Sequence, residues 1–161
     1  MRRIEWKATF TEYQAIEELP SEIQNLMLRA EEAREKAYAP YSKFNVGAAV
    51  LLENGEIVAG SNQENGAFPS GLCAERIALF AAGANFPGIP IAALCITARP
   101  ESIALKKPIA PCGGCRQVMA ETEARQPSAM RIFFRGSTGP IVEAAGTKSL
   151  MPYLFKFGDW E

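Results

Sequence analysis

The sequence predicts an α/β fold, a three-layer α/β/α sandwich around a mixed five-stranded sheet. Three observations carry that expectation. Five short apolar runs of strand length interleave with segments whose apolar residues recur at helical spacing, a pattern that stacks helices on a sheet. Asn54-Gly55 separates two of the runs, at 46–52 and 57–59, and this dipeptide tolerates the positive φ angles of a type I′ hairpin turn. Two more runs, at 130–134 and 141–145, are joined through Gly136-Ser137-Thr138-Gly139, a link short enough to favour an antiparallel pair.

The elements follow in order. Ile4, Trp6, Ala8 and Phe10 alternate along residues 2–11, as in a strand or an extended packing arm that covers a sheet edge or a subunit interface. Ser21-Glu22-Ile23-Gln24 matches a capping box, with Ser21 capping a helix and Gln24 reaching back. Ile23, Leu26, Met27, Ala30, Ala33 and Ala37 keep helical spacing until Pro40 stops the helix. After the hairpin, a second helix is expected from about Ser70-Gly71 to Ala84, with Ile77, Phe80, Ala81 and Ala84 inward. Residues 91–98 form a proline-bounded apolar run, as a buried central strand does. A third helix starts at Cys112-Gly113 and stops before Pro127; a short capped turn near Thr147 and an aromatic tail from Tyr153 to Trp160 follow.

At 161 residues the chain is most simply one domain, able to bury a core without staples. A formal net charge of −1 argues against a broad basic surface for nucleic acid. Glu5, Lys7 and Glu12 interrupt the N-terminal region, so no signal-peptide stretch is read there, and no apolar run is long enough to span a bilayer. The expected location is cytoplasmic, with no membrane association. In that reducing compartment a Cys-x-x-Cys pair means metal or redox chemistry rather than a structural disulfide.

The chain has four cysteines and no histidine. Three of the cysteines fall in Cys73-Ala74-Glu75-Arg76 and Pro111-Cys112-Gly113-Gly114-Cys115-Arg116-Gln117. Cys73 and Cys112 lie near predicted helix starts, where free N–H groups and the helix dipole stabilise thiolates. Cys115 is three residues after Cys112, so one ion can reach both sulfurs, and Gly113 and Gly114 let the backbone approach it. Three protein ligands leave a zinc ion an open position for water, the catalytic arrangement. Arg76 is spaced to offset the charge of three thiolates, and Glu75 to take a proton from the water. A closed structural zinc lacks an evident fourth ligand, because Cys95 sits inside an apolar strand as a core residue. A thioredoxin-type pair would need neither Cys73 nor Glu75, and a cysteine hydrolase would need a base such as histidine. Arg116 and Gln117 are read as supports of the helix start.

Cys-x-Glu upstream of Pro-Cys-x-x-Cys resembles the zinc-deaminase signature. The flanking residues resemble the small, homotetrameric class of cytidine deaminase. They are Ala39-Pro40-Tyr41-Ser42-Lys43-Phe44, then Val46-Gly47-Ala48-Ala49, then Asn62-Gln63-Glu64-Asn65 eleven residues before Cys73. The resemblance spans residues 20–157, leaving 1–19 as an N-terminal extension and 20–161 as the catalytic domain. It implies one Zn2+ per subunit on Cys73, Cys112 and Cys115, with Glu75 as the proton shuttle. It also implies a free nucleoside as substrate, with hydrolytic deamination of cytidine and 2′-deoxycytidine to uridine and 2′-deoxyuridine and release of ammonia. Asn62 and Glu64 would bind the ribose, Phe44 would pack on the nucleoside, and the Ala74 N–H would bind the pyrimidine O2. Phe155, with Tyr153 and Phe157 as alternatives, would reach into a neighbouring subunit's site within a homotetramer. A deaminase of the same fold acting on another nucleoside-like substrate or on nucleic acid is the alternative. Gln63, Gly66 and Phe68 depart from the usual residues of that class and bear on the shape of the ribose pocket.

Overall fold

The structure, a computed structural model, describes residues 1–156. Its elements are β1 (Phe10–Tyr13), α1 (Ser21–Arg34), β2 (Phe44–Leu52), β3 (Ile57–Ser61), α2 (Ala74–Asn85), β4 (Ile91–Pro100), α3 (Gly113–Ala124), β5 (Arg131–Arg135), β6 (Ile141–Ala144) and α4 (Thr147–Leu150). Single 3₁₀ turns occupy Ile16–Glu18 and Phe68–Ser70. Phe157 and Trp160, part of the expected aromatic tail, lie outside the described residues.

The sheet has six strands rather than five, in the order β1-β6-β5-β4-β2-β3. The extra strand is the end of the N-terminal arm: Phe10–Tyr13 pairs antiparallel with Ala144–Ile141 and covers that sheet edge. Residues 2–9, whose alternation looked the same, have no regular structure. Only β4 and β5 are hydrogen-bonded in parallel; the remaining neighbours are antiparallel, so the sheet is mixed as expected.

Period-two alternation sorts the core into two layers. Ala48, Val50, Leu94, Ile96, Ile132 and Phe134 face α2, α3 and α4. Their neighbours Ala49, Ala93, Cys95 and Phe133 face α1, which presents Ile23, Leu26, Met27 and Ala30. Cys95 is fully buried in the second layer, the core role its apolar surroundings predicted. Gly47 lets α1 lie against β2: a Cβ there would run into the Ala30 carbonyl oxygen and stand 2.5 Å from the Arg34 nitrogen. Among the described residues no helix is long and apolar enough to cross a membrane.

Three local expectations are corrected. Pro20, not Ser21, is the N-cap of α1, and no side chain caps it; Gln24 does reach back, but its amide donates to the Leu19 carbonyl at 2.8 Å. Proline already sets the turn into the helix, so the serine is drawn into the first helical position. The β2–β3 turn is not type I′. Leu52 and Glu56 flank a three-residue loop in which only Gly55 has positive φ (88°), while Asn54 Oδ1 accepts the Glu56 N–H at 3.1 Å. Lastly, α2 begins at Ala74, after the Phe68–Ser70 turn, and buries Ala74, Ala78, Leu79 and Ala82. Phe80, expected inward, is 52% exposed. This helix is apolar on nearly every side, so period alone does not choose its inner face. Close approach does: a Cβ on Gly60 of β3 would lie 2.8 Å from the Ala78 nitrogen, a spacing that only small residues on α2 permit.

Candidate active site

β2 runs antiparallel to both β3 and β4, so β3 and β4 point the same way. The helices that follow them, α2 and α3, pack on the same sheet face and on each other. Their N-termini therefore meet beyond the carboxyl ends of those strands, where α/β proteins build sites. Cys73 is the N-cap of α2 and Cys112 the N-cap of α3, both with extended backbone. Cys115 lies in the first turn of α3 and is fully buried, whereas Cys112 is exposed.

The three sulfurs converge. Cys112 Sγ is 3.5 Å from Cys115 Sγ and 4.0 Å from Cys73 Sγ, and all three lie within 4.8 Å of one another. A tetrahedral zinc with Zn–S bonds near 2.3 Å holds its sulfurs about 3.8 Å apart. The two measured separations bracket that value. Arg76 adds to the fit: its Nη2 lies 3.9 Å from Cys73 Sγ, and its Nε is buried without a partner among the described residues. A spare buried donor beside three sulfurs suits an anionic metal–thiolate cluster. Cβ atoms on Gly113 and Gly114 would meet no protein atom within 4 Å, so packing does not require glycine there.

Without metal, the cluster shares its protons unevenly. The Cys73 thiol is pulled down to about 5, chiefly by a hydrogen bond from Cys115, with Arg76 and Cys112 adding to it. Cys115 is pushed up because its proton is held in that same bond, and burial adds to the effect. Glu75, in the first turn of α2, is 4% exposed. Burial raises its carboxyl above the usual range, and the Cys73 thiolate raises it further. The arrangement can hold a metal cation and, beside it, a carboxyl ready to carry a proton.

Two of the nucleoside-binding residues expected from sequence, Asn62 and Glu64, lie next to the cluster. Gln63 pairs with Leu72 in both directions at 2.9 Å, and Tyr38 bonds both Asn62 and Glu64 through the backbone, so 62–64 is pinned between two segments. A cavity of about 550 Å³ opens there, lined by Asn62, Glu64, Cys73 and Arg76 together with Tyr41 and Phe68. Asn62 is buried, and its amide ties down the start of β2: Nδ2 donates to the Phe44 carbonyl at 2.9 Å and Oδ1 accepts the Val46 N–H at 2.8 Å. Glu64 accepts the Tyr41 and Ser42 N–H groups at 2.9 and 3.2 Å. The Ser42 hydroxyl, followed by those amides, holds its carboxyl below the usual range.

Phe44, Ala74, Glu75 and Phe155 are not among the residues lining this cavity. Phe44 is half-buried at the start of β2; Ala74 and Glu75 are buried in the first turn of α2; Phe155 is 65% exposed. Arg116 supports the helix start as expected, donating to the Pro111 and Leu150 carbonyls at 2.8 Å each, and Gln117 donates to the Phe155 carbonyl at 2.9 Å. Sequence reasoning gave Tyr41 no role of its own. Its ring meets Phe68 edge-on at 5.9 Å, and a Cβ on Gly66 would lie 3.1 Å from its hydroxyl. The available signal was the aromatic at position 68 combined with the missing side chain at 66.

Comparison with known proteins agrees with this geometry. A family model described as the cytidine and deoxycytidylate deaminase zinc-binding region matches residues 20–130. A cytidine deaminase from Halalkalibacterium halodurans is 38% identical over 136 residues, covering 84% of this chain and 96% of that protein. One from Sporosarcina psychrophila is 40% identical over 139 residues, covering 86% and 94%. The crystal structure of cytidine deaminase from Burkholderia pseudomallei superposes with a TM-score of 0.70 at 38% identity, covering 81% of this chain and 97% of that one. With that family's zinc-binding region spanning both cysteine segments and its fold shared through most of the chain, the protein belongs to the cytidine and deoxycytidylate deaminase family.

Proposed function

We propose that the protein is a zinc-dependent cytidine deaminase, converting cytidine and 2′-deoxycytidine to uridine and 2′-deoxyuridine with release of ammonia. The observation that carries this reading is the convergence of the Cys73, Cys112 and Cys115 sulfurs beside the buried carboxyl of Glu75, against a cavity edged by Asn62 and Glu64. Those cysteines would hold Zn2+, one per chain, and zinc supplies the Lewis acidity that makes water nucleophilic near neutral pH.

The chain's own groups handle the protons. Glu75 takes a proton from the water that attacks C4 and places it on the pyrimidine N3. It then takes the second proton from the hydroxyl now on C4 and passes it to the exocyclic amine. The C4–N bond breaks, ammonia departs and the C4 carbonyl of uridine forms. A carboxyl raised by burial suits both directions of transfer. In this reading the Ala74 N–H binds the pyrimidine O2; its position at the start of α2, where amides have no helical partner, supports that role. Asn62 and Glu64 bind the ribose, and Phe44 packs against the nucleoside. Arg76 offsets the thiolate charge.

The same reading takes residues 20–161 as the catalytic domain and 1–19 as an extension, which the match over 20–130 supports. It makes the enzyme a cytoplasmic homotetramer in which Phe155 enters a neighbouring site. The exposed Phe80 on α2 and the exposed Tyr153 and Phe155 support such contacts. The net charge of −1 favours a free nucleoside over a polynucleotide. The deciding experiment measures zinc content and ammonia release from cytidine on the purified protein, alongside cytidine-containing oligonucleotides. Turnover of oligonucleotides but not of cytidine would overturn the substrate assignment.

A further inference from the structure

Residues 1–9 lie outside the region matched to the family and have no regular structure, yet the arm to which they belong is held at both ends. At the β1 end, the Tyr13 hydroxyl donates to Glu143 Oε2 at 2.6 Å, and Arg131 Nε donates to Oε1 of the same carboxylate at 2.7 Å. This bridge adds to the backbone pairing of β1 with β6. At the other end, Trp6 Nε1 donates to the Lys148 carbonyl in α4 at 3.3 Å. The Trp6 ring also packs at a tilt against Tyr153, 6.1 Å between centroids.

The segment that Trp6 touches is the one that leans on the cysteine cluster. The Leu150 carbonyl accepts from Arg116, the Phe155 carbonyl accepts from Gln117, and Arg116 also grips the Pro111 carbonyl. Arg116 and Gln117 directly follow Cys115, and Pro111 directly precedes Cys112. Residues 152–155 lie outside every helix and strand, and Tyr153 and Phe155 are 77% and 65% exposed. Such a segment stays in place through a few tethers, and the loss of one is felt by the rest.

We propose that residues 1–13 form a strap that holds residues 148–156 down on the first turn of α3, with Trp6 as its positioning residue. The strap touches no reacting atom. It acts by keeping the tail's carbonyls on Arg116 and Gln117, and so bears on how well the site receives its substrate. Its catalytic consequence rests on the deaminase reading; the contact itself does not.

The test compares zinc-loaded full-length protein with Trp6→Ala, Trp6→Phe and Tyr153→Ala by hydrogen–deuterium exchange and by cytidine kinetics. Loss of one aromatic contact and one exposed hydrogen bond in Trp6→Ala should speed exchange across 148–156 about fivefold and raise KM by a similar factor. Zinc content and kcat should stay at the wild-type level. Trp6→Phe keeps a ring without the N–H and should recover most of the effect, and Tyr153→Ala should repeat the faster exchange from the other side of the contact. Unchanged exchange across 148–156 in Trp6→Ala and Tyr153→Ala would overturn the strap. Faster exchange with unchanged KM would overturn the positioning role. If the wild-type protein releases no ammonia from cytidine, the deaminase reading fails, and the exchange data alone still decide whether the strap exists. Should Trp6→Ala not fold, Tyr153→Ala and Trp6→Phe decide the same question.

Discussion

Cys112 Sγ and Cys115 Sγ lie 3.5 Å apart across the first turn of α3, and Cys73 Sγ comes within 4.0 Å of Cys112 from a different helix. One ion can therefore tie α2 to α3, and zinc becomes part of the fold as well as of the site. Cys112→Ser removes the exposed member of the set without opening the core. The expected outcome is zinc well below one per chain together with a lower Tm, read by metal analysis and calorimetry. Full occupancy in this variant would refute the ligand assignment.

Glu75 is almost fully enclosed yet belongs to neither apolar core cluster. Replacing it with Ala should leave zinc content intact and lower the rate of ammonia release by roughly 10²–10⁴-fold, the usual range for losing a general acid–base group. A variant that still deaminates cytidine at the wild-type rate would remove Glu75 from the mechanism.

The Tyr13–Glu143–Arg131 bridge sets a pH dependence of stability. Burial works against the Glu143 carboxylate, but its bonds from Arg131 and Tyr13 outweigh that and hold its pKa below the usual carboxylate value. A group lowered in the folded state stabilises fully above its unfolded pKa, and this contribution disappears as pH falls through the folded one. Stability should therefore drop on acidification below about pH 4.5. Glu143→Gln should flatten that acid limb and cost about 1 kcal/mol at neutral pH. Denaturant midpoints measured from neutral to acid pH check it; an unchanged acid limb would count against the bridge.

Gly47→Ala tests the closest helix–sheet contact. The new Cβ meets backbone atoms of α1 at Ala30 and Arg34, which cannot rotate away as a side chain would. A loss of about 3 kcal/mol is expected, at the upper end for overpacking. Urea unfolding of the variant measures it, and a loss under 0.5 kcal/mol, about what surface substitutions cost, would show that α1 shifts freely.

What the residues alone determined was local chemistry. Three-residue spacing puts Cys112 and Cys115 on one helical turn, prolines and glycines bound the strands, and the unbroken apolar run of 91–98 marks a buried central strand. These features depend on neighbours within a few positions, so sequence order carries them. Tertiary structure decided what depends on distant partners. It brought Cys73 to Cys112 across 39 positions, because β3 and β4 point the same way and their helices start side by side. It chose Ala78 over Phe80 for the inner face of α2, because the helix lies too close to Gly60 for a large side chain. It also divided one alternating N-terminal run into an edge strand at Phe10–Tyr13 and an irregular arm ending on Tyr153. Alternation marks which residues can share a face, and only the available sheet edge determines which of them pair.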